Sequence, residues 1–283
     1  MQGGEPSRTA MMAAAIRGLH RLEAEPPWLF DDQFALVLVG PAWRDLRVEL
    51  ADSLTEPLLR QIGVMATTRA RYTEDRLAAA PFEQYVLVGA GLDSFAWRRP
   101  DRLAAGLSVF EVDHPASQAW KLARVAELGL PHSDRHVFAP VDFEAETVAD
   151  GLDRVGFDWS KRTLFSWLGV VPYLTIEAIE ATLRSLAKTP SGSEVVISYL
   201  IAEALMEDLG RVCLDRFGRL AAAVGEPFKT AFTPGEAEAL AQRCGLAVAD
   251  HPTRDDVAAR YFTGRADGLA PITFEQLLVV AVV

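Results

Sequence analysis

The run Val86-Leu-Val-Gly-Ala-Gly-Leu-Asp-Ser94 constrains the fold of this chain more than any other segment. Aliphatic residues lead into two glycines around one alanine, so a strand should stop at Gly89 and turn sharply. Gly89 permits the tight turn, and Gly91 removes a Cβ where a ligand could approach the backbone. Open α/β sheets bind ligands at such carboxyl ends, where the strand order switches. A G-x-G also occurs as a purely structural turn. The third glycine slot of a dinucleotide fingerprint falls on Ser94, which argues against NAD or FAD and suits a cofactor without phosphates.

The following strand, Val109-Phe-Glu-Val-Asp113, ends in a carboxylate about 20 residues past the glycines, where nucleotide folds hold a ribose. Asp113 has a second reading, as a cap for the helix that Pro115 opens. Glu111 is assigned to the other face of that strand. A third strand closes on Val141-Asp142-Phe143, where a carboxylate and an aromatic ring suit an adenine amino group and its base. Gly89, Ala90, Gly91, Asp113, Asp142 and Phe143 thus make three neighbouring loops that should converge on one nucleoside.

Away from these loops, helices are expected over 9–23, 31–38, 56–80 with a break near Gly63, 116–128, 176–187, 201–217 and 234–244. Strands are expected over 85–88, 107–112, 136–141, 164–168, 194–200, 247–250 and 277–283. Strands alternating with helices imply an α/β fold: a mostly parallel, seven-stranded sheet with helices on both faces. Residues 1–80 read as an N-terminal helical cap or lid. Residues 81–283 read as the core, with a helical lid inserted around 201–233, the whole forming one compact unit.

With 283 residues, half of them hydrophobic, the chain can bury a large core. A formal charge of −11 with no basic stripe excludes nucleic acid as a partner. No apolar run approaches the roughly 20 residues of a membrane helix. The opening Met1-Gln-Gly-Gly-Glu-Pro-Ser-Arg8 lacks a secretory layout, so a cytoplasmic protein is expected. Cys213 and Cys244 match no metal spacing and read as reduced core residues. His132 and His136 lack a third ligand, and no metal site is expected. No Gly-x-Ser-x-Gly elbow points to a hydrolase.

The segments Gly89-Ala-Gly-Leu-Asp-Ser-Phe-Ala-Trp-Arg98, Phe110-Glu-Val-Asp-His-Pro115 and Lys121 resemble the leucine carboxyl methyltransferase family. More closely, they resemble its bacterial branch of S-adenosylmethionine-dependent O-methyltransferases. The likeness continues at Ser7-Arg-Thr-Ala, Arg69-Ala-Arg-Tyr, Leu168-Gly-Val-Val-Pro-Tyr-Leu-Thr175, Gly225-Glu-Pro-Phe and Arg260-Tyr-Phe-Thr-Gly-Arg-Ala-Asp-Gly268, nearly the whole chain in order.

This resemblance implies a Rossmann-like class I methyltransferase sheet and S-adenosyl-L-methionine as cofactor. The acceptor would be a small molecule, of the kind met in secondary metabolism, methylated on a carboxylate or hydroxyl oxygen. It places Gly89 beside the methionine part, Asp113 on the ribose, and Asp142 with Phe143 on the adenine. Arg69 matches the arginine that pairs with the methionine carboxylate, with Arg71 the alternative if the register slips and Arg17 a looser match. Leu168 stands where many relatives carry a glutamate. That departure leaves any base unidentified and keeps a cofactor-binding but catalytically silent relative in play, beside the NAD-dependent oxidoreductase.

A carboxylate acceptor needs no base, being ionised at neutral pH, whereas a phenol or alcohol does. His114, Tyr173 and Tyr199 are the candidates for that base, and none is assigned as catalytic. Trp28, Phe30, Trp43 and Phe217 are candidate apolar walls of an acceptor pocket.

Overall fold

The computed structural model describes residues 7–143 and 145–283, apart from the side chain of Ser53. Of the opening stretch 1–8, in which a secretory layout is missing, residues 1–6 lie outside the described residues. Four helices come first: α1 (Arg8–Glu23), α2 (Ala35–Val39), α3 (Trp43–Ser53) and α4 (Glu56–Ala79). Then follow β1 (Gln84–Val88), α5 (Phe95–Arg98), α6 (Pro100–Ala104), β2 (Ser108–Asp113), α7 (Pro115–Glu127), β3 (His136–Pro140) and α8 (Val148–Arg154). The chain continues through β4 (Thr163–Trp167), α9 (Ile176–Leu186), β5 (Glu194–Leu200), α10 (Asp208–Ala223), α11 (Pro234–Arg243), β6 (Ala247–Asp250), α12 (Arg254–Tyr261) and β7 (Glu275–Ala281).

One seven-stranded sheet has the order β3-β2-β1-β4-β5-β7-β6. The first five strands are parallel, and β7 runs antiparallel between β5 and β6. From β1 the chain winds outward through β2 and β3, then returns to β4 on the other flank. Strand order therefore switches between β1 and β4, and the loops leaving their carboxyl ends diverge around a crevice.

Every residue of β1 and β4 is buried, as expected of central strands covered on both faces. Alternate side chains feed different cores. Val86, Phe110, Phe165 and Val195 pack with α8 and α9 on one face. Tyr85, Val109, Leu164 and Val196 pack with α4 on the other. The first four helices form their own cluster, which reaches the sheet through Leu200, Ile201 and Phe274. No helix among the described residues is long and apolar enough to cross a membrane. Cys213 and Cys244 are free and buried.

Three expectations need correction. Helix α4 runs unbroken through Gly63, which faces α1: a Cβ there would lie 3.6 Å from His20 Cβ, an ordinary van der Waals contact. One glycine costs a helix about 1 kcal/mol, which the packed apolar face of α4 outweighs. The helix expected over 201–217 begins only at Asp208, since Ile201 is held in a β-bridge to Phe232. Helices α3, α5, α6, α8 and α12 were not anticipated. None exceeds 11 residues, and α8 and α12 are announced mainly by capping boxes at Thr147/Asp150 and Thr253/Asp256.

Candidate active site

The turn after β1 bends onto β2: the Gly89 and Ala90 N–H groups both donate to the Val112 carbonyl, at 2.8 and 3.1 Å. Gly89 and Gly91 have φ of +71° and +51°, the left-handed region that disfavours a side chain. Protein atoms fill the room that the absent side chains leave. A Cβ on Gly89 would collide with Val170, from the loop after β4, and one on Gly91 would meet Ala10 of α1 at 3.1 Å.

Asp113 ends β2 beside this turn. Its Oδ2 accepts from the Gly91 N–H and its Oδ1 from the His114 N–H, the latter at 2.6 Å. Burial pushes its carboxyl up from the usual aspartate value, and these two hydrogen bonds oppose that push. The anticipated cap is made instead by His114, whose Nδ1 accepts from the Ala116 N–H at 3.2 Å. Both of Asp113's oxygens keep acceptor capacity toward the crevice. Past β3, the Asp142 carbonyl accepts from Ala145 and Glu146 N–H, each at 2.9 Å, in a turn that carries Phe143.

On the far side, Arg69 of α4 donates from Nη1 to both oxygens of Glu275, at 2.9 Å each. Glu275 opens β7 and also accepts from Ser198 Oγ of β5 at 2.6 Å. Ser198 Oγ in turn accepts from the Gly169 N–H at 2.8 Å. The guanidinium lies against Gly169, where a Cβ would stand 2.6 Å from Nη2.

One cavity of about 890 Å³ joins these groups, within the range of pockets that enclose drug-sized ligands. Arg69, Gly89, Ala90, Gly91, Asp113, Asp142, Phe143 and Leu168 all line it. So do Arg17, His114, Tyr173 and Phe217. Arg17 is held by Asp32 at 3.1 Å and by the Leu92 carbonyl at 2.8 Å. Ser94, in the third glycine slot, is a fully buried tie: its Oγ donates to Asp32 at 2.6 Å and accepts from Arg98 Nε at 2.8 Å.

Other candidates fall elsewhere. Arg71 is outside the cavity and pairs with Asp75 at 2.8 Å. Trp28, Phe30 and Trp43 do not line it either: Trp28 binds the Ala24 carbonyl, Phe30 lies under the Arg98 guanidinium, and Trp43 packs among the first helices. Tyr199 points into the core, its hydroxyl 2.9 Å from His251 Nε2. Glu111 shares the face of Asp113, because residues two apart on a strand project to the same side. There it is buried with Lys121 and His136. Burial pushes the Glu111 carboxyl up, but those two partners prevail and hold it below the usual value.

Glu275 and its brace Ser198, which does not itself line the cavity, carry no signal in their own neighbourhoods: Glu275 stands beside Gln276 at the start of β7, and Ser198 is a small residue inside β5. Glu226 accepts from the hydroxyls of Ser7 and Thr9, joining the start of α1 to the segment after α10 at the cavity wall. The segments Ser7-Arg-Thr-Ala and Gly225-Glu-Pro-Phe, far apart in sequence, thus meet.

The model of the leucine carboxyl methyltransferase family matches residues 10–187, which carry the glycine turn, Asp113, Asp142 and Leu168. YktD of Bacillus subtilis (strain 168), named as an S-adenosyl-L-methionine-dependent methyltransferase, is 33% identical over 95% of this chain and 96% of its own length. A Mycolicibacterium smegmatis protein of the same description is 34% identical over 69% of this chain and 66% of its own. In fold, a Thermobifida fusca YX protein described as a methyltransferase superposes with a TM-score of 0.62 at 16% identity, covering 99% of this chain and 96% of that one. Matched in length, in the order of its motifs and in the sheet that carries them, the chain belongs to the leucine carboxyl methyltransferase family of S-adenosylmethionine-dependent methyltransferases.

Proposed function

We propose that the protein methylates an oxygen of a small molecule, and that a carboxylate is the oxygen its site suits best. The observation that carries the first part is the convergence of three strand-end loops and Arg69 on one cavity. The residues there fit the cofactor. Asp113 has acceptor capacity for two ribose hydroxyls, Asp142 for an adenine amino group, and Phe143 offers a ring for the base. Gly89, Ala90 and Gly91 give a bare turn for the methionine part, Leu168 an apolar flank, and Arg69 a cation for its carboxylate.

Bound, the cofactor supplies a methyl group made electrophilic by its sulfonium. The protein's share is then to orient the acceptor in line and to exclude water. Two features favour an acceptor that is already ionised. His114 Nδ1 is committed to the Ala116 N–H, so the neutral ring carries its proton on Nε2 and offers the cavity a donor. Burial pushes the Tyr173 hydroxyl well up from the usual phenol value, with Arg69 opposing, so it too is a donor at neutral pH. Donors serve a carboxylate; neither group deprotonates a phenol.

Calorimetry should show S-adenosylmethionine and S-adenosylhomocysteine binding at micromolar levels; a folded sample that binds neither refutes the reading. Screening small carboxylic acids against phenols and alcohols, with mass detection, tests the acceptor. With a carboxylic acid the rate should stay flat from about pH 6 to 9, since that acceptor titrates near pH 4. A rate that rises steadily across this range would indicate a hydroxyl acceptor and a base.

A further inference from the structure

We propose that Glu275 is a cofactor-binding residue, the counter-charge for the ammonium of the cofactor's amino-acid group. The inference rests on the cavity being the S-adenosylmethionine site. The head of that group is a zwitterion, a carboxylate and an ammonium on one carbon. Arg69 and Glu275 present the matching arrangement, a cation and an anion side by side on the cavity wall. An arginine alone would leave the ammonium desolvated without a partner, which costs heavily in a buried site.

The hydrogen-bond directions define the state of Glu275. The Gly169 N–H needs a lone pair from Ser198 Oγ, so the single hydroxyl proton of Ser198 goes to Glu275 Oε1. That oxygen is therefore an acceptor, as in an ionised carboxylate. Arg69 Nη1 bonds both oxygens. A carboxylate has about four acceptor positions, and these three bonds leave one, on Oε2. On Arg69, Nη2 and Nε make no protein hydrogen bond among the described residues and remain for the ligand carboxylate. Gly169 is needed because the guanidinium rests on it, and a Cβ would stand 2.8 Å from Nη1 as well. Glu275 comes from β7, outside the family match, while Arg69 comes from α4; only the fold makes them a pair.

The test compares S-adenosylhomocysteine with its deamino analogue, which lacks the ammonium, by calorimetry on the full chain and on Glu275→Gln. Glutamine is isosteric and keeps an oxygen for Ser198. The variant should lose about 10- to 100-fold in affinity for S-adenosylhomocysteine, the order of a charged hydrogen bond. Its affinity for the deamino analogue should stay within about twofold of wild type, which a merely structural effect on Arg69 would not spare. Should Glu275→Gln fail to fold, Glu275→Asp, which withdraws the same charge by one methylene, is read in the same way. Equal losses for both ligands, or no loss for S-adenosylhomocysteine, would overturn the assignment of Glu275 while leaving the cofactor site standing. A wild-type chain that binds neither ligand would sink both.

Discussion

At Gly89, backbone conformation and packing make the same demand. The residue must take a positive φ to bring two N–H groups onto the Val112 carbonyl, and its missing side chain makes room for Val170 from the far side of the strand-order switch. Gly89→Ala should therefore lower stability by about 1–3 kcal/mol, read from urea unfolding, before any effect on ligand binding is considered. Asp113→Ala acts differently. Among the described residues its carboxylate bonds only the Gly91 and His114 N–H groups, so the fold should survive while binding of S-adenosylmethionine weakens by about 1.5–3 kcal/mol in calorimetry. Asp113 was legible in the sequence because its spacing from the glycine turn is a local property of one β-α-β unit. Glu275 was not: its partners Ser198 and Arg69 lie 77 and 206 positions away, and a single acid opening a mostly apolar strand says nothing by itself.

Between helices α1 and α4, the close approach at Gly63 buries His20, whose Nε2 has no hydrogen-bond partner among the described residues. Burial, with help from the Arg265 charge, pushes its imidazole down to about 4. An unfolded histidine titrates near 6.5, so below that pH the unfolded chain takes up a proton that the native state refuses. The stability His20 allows is thus complete above about pH 6.5 and is lost as pH falls toward 4, by about 2 kcal/mol between pH 7 and 5. Urea unfolding at those two pH values should show a smaller loss for His20→Leu than for wild type. Elements with strong periodicity or clear stops, such as α1, α7 and α9, stood where the sequence placed them. Gly63 misled because glycine in a helix marks either a break or a crossing, and only the neighbouring helix tells which. Helix α10 began late because the bridge partner of Ile201, Phe232, comes from beyond it.

Taken whole, the molecule is tied together at Asp32, which is 2% exposed and bonds Arg17 of α1, Ser94 after the glycine turn and the N–H of Phe34. Removing it leaves Arg17 and part of Arg98's surroundings uncompensated. Asp32→Ala should cost about 3–5 kcal/mol, and fluorescence and circular dichroism should still report one shared unfolding transition. Two separate transitions would mean that the first four helices and the sheet are held independently. The antiparallel seat of β7 also sets an order of events during biosynthesis. Among the described residues, strand β6 has no sheet neighbour except β7, and β7 reaches the sheet only by lying against β5. Residues 247–250 therefore have no partner strand until 275–281 have been made and lie against β5. Until that pairing forms, Arg69 has no carboxylate beside it. A nascent chain could carry its glycine turn and Asp113 in place long before the cavity's charges are balanced.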